Sequence, residues 1–374
     1  MNITLKHKIV IIGAGPAGTS CAIALLNAGV SDVTIVSNTA SKKFLIGESI
    51  PPNANQLLKQ LGVYGPFLKE NHDPCYGSCS YWGSHLRGYN DSILSPYGHG
   101  WHLDRKRFNE LMLDQATSKG AKIESNCSFL RSDKKGSGFK MFFKKQFKEE
   151  IILDADIVVD ASGYRSVFAQ SQGSDKRNGT PLICLTARFK AKDDMECSRM
   201  THLEAEELGW WYAARIPNNQ MLVSFYTLPE IAKRRNLGSI NSWLNRLKMT
   251  SSTHQLVSEM TLIDESILTY FAPTSQLDKV SGPNWLAIGD AASSYDPITS
   301  QGITKAIAHG IRAAESIVDL KETGDYTFQK FGQTLQNEFN QYEEARNYFY
   351  SIEQRWPGSV FWNRLQSTNK AASA

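Results

Sequence analysis

An α/β fold with a β-rich middle region and a helical C-terminus is predicted by three observations. The first is the run KIVII at 8–12, apolar and β-branched, which reads as a buried parallel strand. It passes directly into GAGPAG at 13–18, then into TSCAIALLNAG, whose apolar residues Ala22, Leu25 and Leu26 keep helical spacing, and then into a second strand candidate, DVTIV at 32–36. The second is WLAIGD at 285–290, a buried strand ending in Gly-Asp, followed by a proline break, a glycine and an amphipathic helix. The third is the segment after Tyr326, which reads as helical and carries Trp356 and Trp362.

Strand, glycine turn, helix and strand in that order make a G-x-G-x-x-G pattern specific for a Rossmann-type dinucleotide site. Gly13 lets the chain turn tightly out of the strand, Gly15 lets a pyrophosphate approach the backbone, and Gly18 lets helix and sheet pack closely. Pro16 and Ala17 open the helix, whose free N–H groups and positive end face the phosphates. A carboxylate is expected roughly 20 residues further on to bind the adenosine ribose. Ser37 and Asn38 stand there instead. Ser37 can still hydrogen-bond ribose, but as a neutral partner it should bind less strongly.

Composition narrows the classes. The chain has 374 residues, enough for a large core and more than one domain. Its 41 basic and 37 acidic residues leave a net charge of +4, too balanced to imply a nucleic-acid partner. The densest basic stretch, KKGSGFKMFFKKQFK at 134–148, reads as a solvated β-hairpin turning at Gly136-Ser137-Gly138. No stretch has the apolar length to span a bilayer and the N-terminus lacks a signal-peptide core, so no integral membrane association and a cytoplasmic location are expected. Six cysteines, at 21, 75, 79, 127, 184 and 197, form neither a disulfide framework nor a zinc pattern, and no metal is expected.

A glycine fingerprint alone does not separate FAD from NAD. The downstream segments do, by resemblance. WLAIGD with AASSYDPITSQGITKAIAHGIRAA at 291–314 resembles the FAD-dependent monooxygenases of the aromatic-hydroxylase fold, and within them the flavin-halogenase branch. The resemblance implies FAD as cofactor, with Gly289 and Asp290 at the ribityl chain. It also implies that Pro297, Gln301, Gly302 and Ile303 bring backbone N–H groups and a helix N-terminus to the flavin pyrimidine edge. Negative charge on reduced flavin would be stabilised there. VVDASGYRS at 158–166 is similar to the family's second motif, adding Asp160 and Gly163 to the cofactor set. GWHLDRKRFNELMLDQATSKGA at 100–121 supplies Arg105, and IGESIPPNANQLLKQLG at 46–62 supplies Glu48.

Two departures weigh against halogenation. The halogenase motif Trp-x-Trp-x-Ile-Pro becomes WWYAARIP at 210–217, and the stretch expected to carry a relay lysine, CYGSCSYWGS at 75–84, has none, with Lys69 out of register. YGSCSYWGS, YGHGWHLDR and RWPGSVFW are instead similar to the LodB-type flavoprotein maturases of quinone-cofactor (cysteine tryptophylquinone) amino-acid oxidases. That resemblance implies hydroxylation of a tryptophan side chain in a precursor amino-acid oxidase. With no second Rossmann unit, electrons come from transient NAD(P)H or from a separate flavin reductase. The competing readings are a flavin halogenase, a flavin reductase or dehydrogenase, and a non-catalytic FAD-binding partner protein. His99 and His102 are chemical candidates for a proton donor, but each reads more simply as structural, and no catalytic acid or base is assigned.

The expected organisation is a discontinuous FAD-binding domain from 1–75, 100–180 and 275–330, and a substrate domain from 76–99 and 181–274. A C-terminal helical segment, 331–374, completes it. The substrate domain should contain a helix at NSWLNRLKM, 241–249, and its GWWY cluster could turn Trp210, Trp211 and Tyr212 toward the flavin, although core packing is the default.

Overall fold

The computed structural model describes residues 7–38, 44–145, 150–323 and 328–367. The first residues of the chain and the end of the basic stretch, 146–148, lie outside them.

A six-stranded sheet organises the nucleotide-binding half. Strand β1 (Ile9–Ile12) is buried along its whole length because it is central, with Ile157–Asp160 on one side and β2 (Val33–Ser37) on the other. Both pairings are parallel, and β2 in turn pairs with Lys122–Ser125. Trp285–Ala287 extends the sheet in parallel beside Ile157–Asp160, with Ser281–Gly282 folded back antiparallel at the edge. Parallel neighbours need a crossover, and helix α1 (Pro16–Asn27) provides it between β1 and β2. This helix lies against the Gly302–Thr323 helix so closely that a Cβ on Gly310 would overlap the Ala17 carbonyl oxygen. The amino-terminal and downstream motifs are thereby held on one side of the sheet.

The basic stretch is a hairpin, Cys127–Lys135 with Gly138–Lys145, and Glu150–Ala155 adds a third strand. Its lysines are solvated: Lys135 and Lys145 pair with Asp154 and Glu124.

The second half is built on a large sheet. In order across it run Thr261–Leu262, Ile183–Lys190, Gln220–Thr227, Gly209–Ile216, Met200–Glu206, Gly77–Tyr81 and Gly88–Asp91. Leu268–Phe271 also pairs with Ile183–Lys190. The segment 77–91 thus joins this sheet, through a parallel pairing of Gly77–Tyr81 with Met200–Glu206.

Alternation along a strand splits the GWWY cluster between the two faces. Trp211 packs with Phe225 and Trp243, the latter from the Ile240–Leu247 helix expected in this region. Trp210 packs on the opposite face with Tyr226, Tyr350 and Trp362. Both tryptophans are wholly buried, so neither faces a ligand; the aromatic surface considered for 210–212 is core.

After Phe328 the chain forms helices Gln329–Ser351 and Val360–Ser367. The long helix buries Phe331, Leu335, Phe339, Tyr342, Arg346 and Tyr350, one stripe at three- and four-residue spacing. An arginine in that stripe signals a buried partner. Among the described residues no helix is long and apolar enough to cross a membrane, and no group of three metal-ligating side chains converges. All six cysteines are free and buried.

Candidate functional site

The glycine turn takes the form expected of it. Gly13 has φ +119° and donates its N–H to the Val36 carbonyl at 2.8 Å. A Cβ on Gly18 would overlap the Gly13 carbonyl, whereas one on Gly15 would meet nothing within 4 Å. Helix α1 begins beside that open space with no side-chain cap and no acidic residue in its first turn. Pro16 and Ala17 occupy its first turn. Its leading N–H groups therefore face open space, the arrangement a phosphate needs.

Three buried polar groups support the fit of a dinucleotide. The Ser37 hydroxyl, at the end of β2, is sealed from solvent with no hydrogen-bond partner among the described residues. Nε and Nη1 of Arg105, at the start of the Arg105–Ser118 helix, are in the same state. Burial lowers the Arg105 guanidinium to about 10 against the opposing fields of Glu48 and Asp290. Unpaired donors and acceptors of this kind are costly, and a bound polar group would satisfy them. Glu48 is buried and its Oε1 accepts from the Gly47 N–H at 2.7 Å. Burial pushes this carboxyl up to about 7, with Arg105 opposing.

Other expected contacts are already engaged within the protein. Both carboxylate oxygens of Asp160 accept backbone N–H groups, Oδ1 from Ser162 at 3.0 Å and Oδ2 from Phe168 and Ala169 at 2.8 Å each. Asp160 therefore shapes its loop from inside, with Oδ2 holding two backbone donors and Oδ1 one. Gly163 follows in a one-turn 3-10 segment with φ +69°. Ser166 then donates to the Ala291 carbonyl at 2.7 Å, tying this motif to the one around Gly289. Asp290 is half exposed and paired to Lys305 at 2.9 Å, while Lys305 is buried and also donates to the Ser293 carbonyl.

Pro297 begins a 3-10 turn whose preceding residue, Asp296, is fully buried and carries a dense set of bonds. Its carboxylate accepts from Ile298 N–H at 3.1 Å, Arg346 Nε at 3.2 Å and Tyr350 hydroxyl at 3.0 Å. Its own N–H donates to the Tyr342 hydroxyl at 2.6 Å. The long C-terminal helix thus clamps the loop leading to Gln301, Gly302 and Ile303. Gly302 opens its helix with free space around it, and Ile303 approaches the position a Gly47 Cβ would take.

These elements border a cleft of about 1180 Å³. Ser49, Pro51, Cys75, Gly77 and Ser80 line one wall, with Trp82, Thr201 and Leu203 beyond them. Ser300, Gln301, Thr304, Lys305 and His309 line the opposite wall. Trp82, not the GWWY pair, is the tryptophan at the cleft. Its Nε1 donates to the Phe349 carbonyl at 2.6 Å.

Neither histidine considered from sequence gains support as an acid. His99 makes edge contacts with Tyr76 and Trp101. His102 is fully buried, and burial lowers it to about 3, so it is neutral. His309, not considered from sequence, accepts the Gly289 N–H on Nδ1 at 3.2 Å and lies 3.1 Å from Glu338 through Nε2. Burial lowers it to about 4 despite Glu338. Lys305 and His309, one helical turn apart in an otherwise apolar stretch, were the available sequence signal for this cluster.

Burial likewise lowers His72 and His202 to about 4. For these four histidines the native state refuses protons that the unfolded chain accepts below about 6.5. Their stabilisation is full above 6.5 and lost as pH falls through about 4 to 3. Glu48 has the opposite sign: its stabilisation is full below about 4.5 and lost as pH rises through about 7. Four imidazoles outweigh the one carboxyl that is displaced as far, so the urea midpoint is expected to be lower at pH 5 than at pH 7. An unchanged or higher midpoint at pH 5 would contradict the neutral, buried state of these imidazoles.

The Tryptophan halogenase family model matches residues 8–99 and 83–374. The FAD-dependent oxidoreductase LodB of Marinomonas mediterranea is 25% identical over 96% of this chain and 96% of its own. Among solved structures, the flavin-dependent halogenase CmlS superposes with TM-score 0.87 at 22% identity, covering 99% of this chain and 70% of that one. The peptidyl tryptophan dihydroxylase QhpG, essential for tryptophylquinone cofactor biogenesis, superposes with TM-score 0.76 at 21% identity, covering 97% and 79%. These superpositions establish a shared fold. With the glycine turn, the unpaired Ser37 and Arg105 groups and the downstream loop in place, the chain belongs to the tryptophan halogenase family and is an FAD-dependent oxidoreductase.

Proposed function

We propose that this protein hydroxylates an aromatic ring, specifically a tryptophan side chain carried by a precursor amino-acid oxidase, during quinone-cofactor biogenesis. The observation that carries the reading is the cleft wall formed by 75–82: it presents Cys75, Gly77, Ser78, Ser80 and Trp82, and no lysine. Lys305, on the opposite wall, is already paired to Asp290. The likeness to LodB along nearly the whole of both chains, and to QhpG in fold, supports the same reading.

Bound FAD, reduced by NAD(P)H or by a separate flavin reductase, supplies the electrons that activate oxygen. A ring C–H becomes C–OH and the second oxygen atom leaves as water. The protein's part is to place the ring and limit water. The Asp296–Arg346 clamp fixes one wall, while Trp82, Leu203 and Ile298 make apolar parts of the cleft. Exposed apolar side chains near its mouth, Tyr97, Phe349 and Ile352, suit a macromolecular substrate.

Halogenation is the second reading, favoured by the family model and by the CmlS superposition. Incubation of a tryptophan-bearing precursor with reduced, FAD-loaded protein, oxygen and halide separates the two by mass. Gain of oxygen supports hydroxylation; gain of halogen overturns it in favour of the alternative.

Ser37 bears on how firmly the cofactor is held. Ser37→Glu is expected to lower the FAD dissociation constant by about tenfold, the difference between a neutral and a charge-assisted hydrogen bond. Fluorescence titration of the apoprotein measures it. Unchanged or weaker binding would show that the adenosine ribose does not reach this residue.

A further inference from the structure

Lys305 stands in the first turn of the Gly302–Thr323 helix, where its N–H donates to the Gln301 carbonyl at 2.8 Å. A helix N-terminus is the positive end of the helix, so a cation there is disfavoured and carboxylates are the usual first-turn charges. This first turn has no acidic residue, and Lys305 is buried as well. Its ammonium is nevertheless held in place. It lies 2.9 Å from Asp290 Oδ1, donates to the Ser293 carbonyl and sits 4.1 Å from the centre of the Tyr295 ring. Tyr295 is in turn stacked on Tyr342 at 3.8 Å, which fixes that ring. Asp290 is half exposed, so the pair stands at the edge of the cleft and is not sealed in the core. Further along the same helix, Arg312 is closed on Glu338 at 2.8 Å and leaves Lys305 to Asp290.

The sheet shows which half of a dinucleotide reaches this cation. Strand β1, Ile157–Asp160 and Trp285–Ala287 are parallel, so their carboxyl ends share one edge, and ligands of such sheets bind outside it. The open start of α1, suited to the pyrophosphate, lies in the middle of that edge. Ser37, at the end of β2, is on the adenosine side. Gly289 is on the other side, where an added Cβ would come 2.8 Å from the Ala17 Cβ. The flavin half therefore runs toward Gly289, Asp290 and the start of the Gly302–Thr323 helix.

We infer that Lys305 is a redox-tuning residue: its fixed positive charge favours the reduced flavin over the oxidised one and so raises the reduction potential of the cofactor. Two electrons and one proton from the reductant, NAD(P)H or a separate flavin reductase, convert a neutral ring into one that carries a single negative charge. The helix N-terminus and Lys305 act on that charge with the same sign, where water is scarce and fields are strong. Asp290 opposes them only in part, because its half-exposed carboxylate is screened by solvent whereas the ammonium is buried. The unfavourable placement of a buried cation at the positive end of a helix is offset when the reduced flavin is bound.

The test is the midpoint potential of the FAD-loaded protein, measured anaerobically against a reference dye, together with the dissociation constant of oxidised FAD from fluorescence titration. Lys305→Gln removes the charge and keeps an N–H donor for Asp290. It should weaken the binding of reduced FAD about tenfold more than that of oxidised FAD, which lowers the midpoint by about 30 mV for a two-electron couple. Lys305→Arg, which keeps the charge, should hold the ratio of the two affinities within about twofold of wild type. A lysine that only pins the Asp290 loop would alter both affinities in equal proportion and leave the midpoint unchanged. That result overturns the inference, as does an equal fall in Lys305→Arg. If Lys305→Gln does not fold, Asp290→Asn carries the test: it leaves the native lysine unopposed, so the midpoint should rise, and the absence of a rise overturns the inference.

Discussion

Gly13→Ala is expected to yield a protein that is destabilised by about 3–5 kcal/mol and retains little FAD, combining backbone strain with forced overlap. Two separate causes act at this residue. Its φ of +119° lies where an L side chain is rarely accommodated, and the added Cβ would overlap the Ala161 carbonyl oxygen. The neighbouring strand cannot simply withdraw, because Ala161 donates its N–H to the Ile12 carbonyl at 2.9 Å. Gly13 is itself tied to Val36. Relief requires moving the turn that presents the free N–H groups of α1. Gly62→Ala is the comparison: φ there is +74°, and an added methyl group would meet nothing within 4 Å. It should cost only about 1 kcal/mol and leave FAD content unchanged. Urea denaturation together with the ratio of flavin to protein absorbance measures both variants. Equal losses in the two would show that strain, and not the overlap against Ala161, governs the turn.

Asp296→Ala should be of similar size, about 3–5 kcal/mol, because it strands Arg346 in the interior. Arg346 is 5% exposed and Asp296 is 1% exposed, so water has little access to either charge. The deletion also removes the acceptor for the Ile298 N–H and the Tyr350 hydroxyl. Tyr350 would keep the bond it accepts from Trp210 Nε1, at 3.1 Å, which limits the damage on that side. Replacing both charges, as Asp296→Ala with Arg346→Met, should cost less than the sum of the two single changes, because no unpaired charge is left buried. Chemical denaturation of the four proteins completes the cycle. Additive losses would mean that the pair does not act as a unit. Because the clamp bears on the loop before Gly302, the single variant should also hold FAD less firmly, a second readout in the same samples.

The N-terminal βαβ unit was legible because its determinants are local. A fully buried parallel strand, a turn that excludes side chains and a helix with apolar spacing are each written in a few consecutive residues. The strand at 285–287 and the helices after Phe328 were legible for the same reason. Residue type alone was a poorer guide to the site. Asp160 matched a motif, but its backbone partners, the Ser162 N–H and the N-terminus of the Val167–Ser171 helix, are visible only in the fold. Trp210 and Trp211 had the composition of a binding face, but strand alternation sends them into two cores. Their place at the cleft is taken by Trp82, brought there when 77–81 pairs with Met200–Glu206.

Long-range pairing decided the rest. Ser49, His102, Thr201 and Tyr212 span more than one sheet and are joined by hydrogen bonds only after two ladders set their registers. Asp296 and Arg346 are separated by 50 residues, yet share one buried ion pair. Periodicity can announce that Arg346 lies on the buried side of its helix, but not which carboxylate neutralises it. Local sequence thus determined the elements and the dinucleotide turn, since short-range sterics and apolar spacing suffice for both. Tertiary structure decided which polar groups were spent inside the protein and which were left for a ligand, because hydrogen-bond capacity is settled only when distant strands and helices meet.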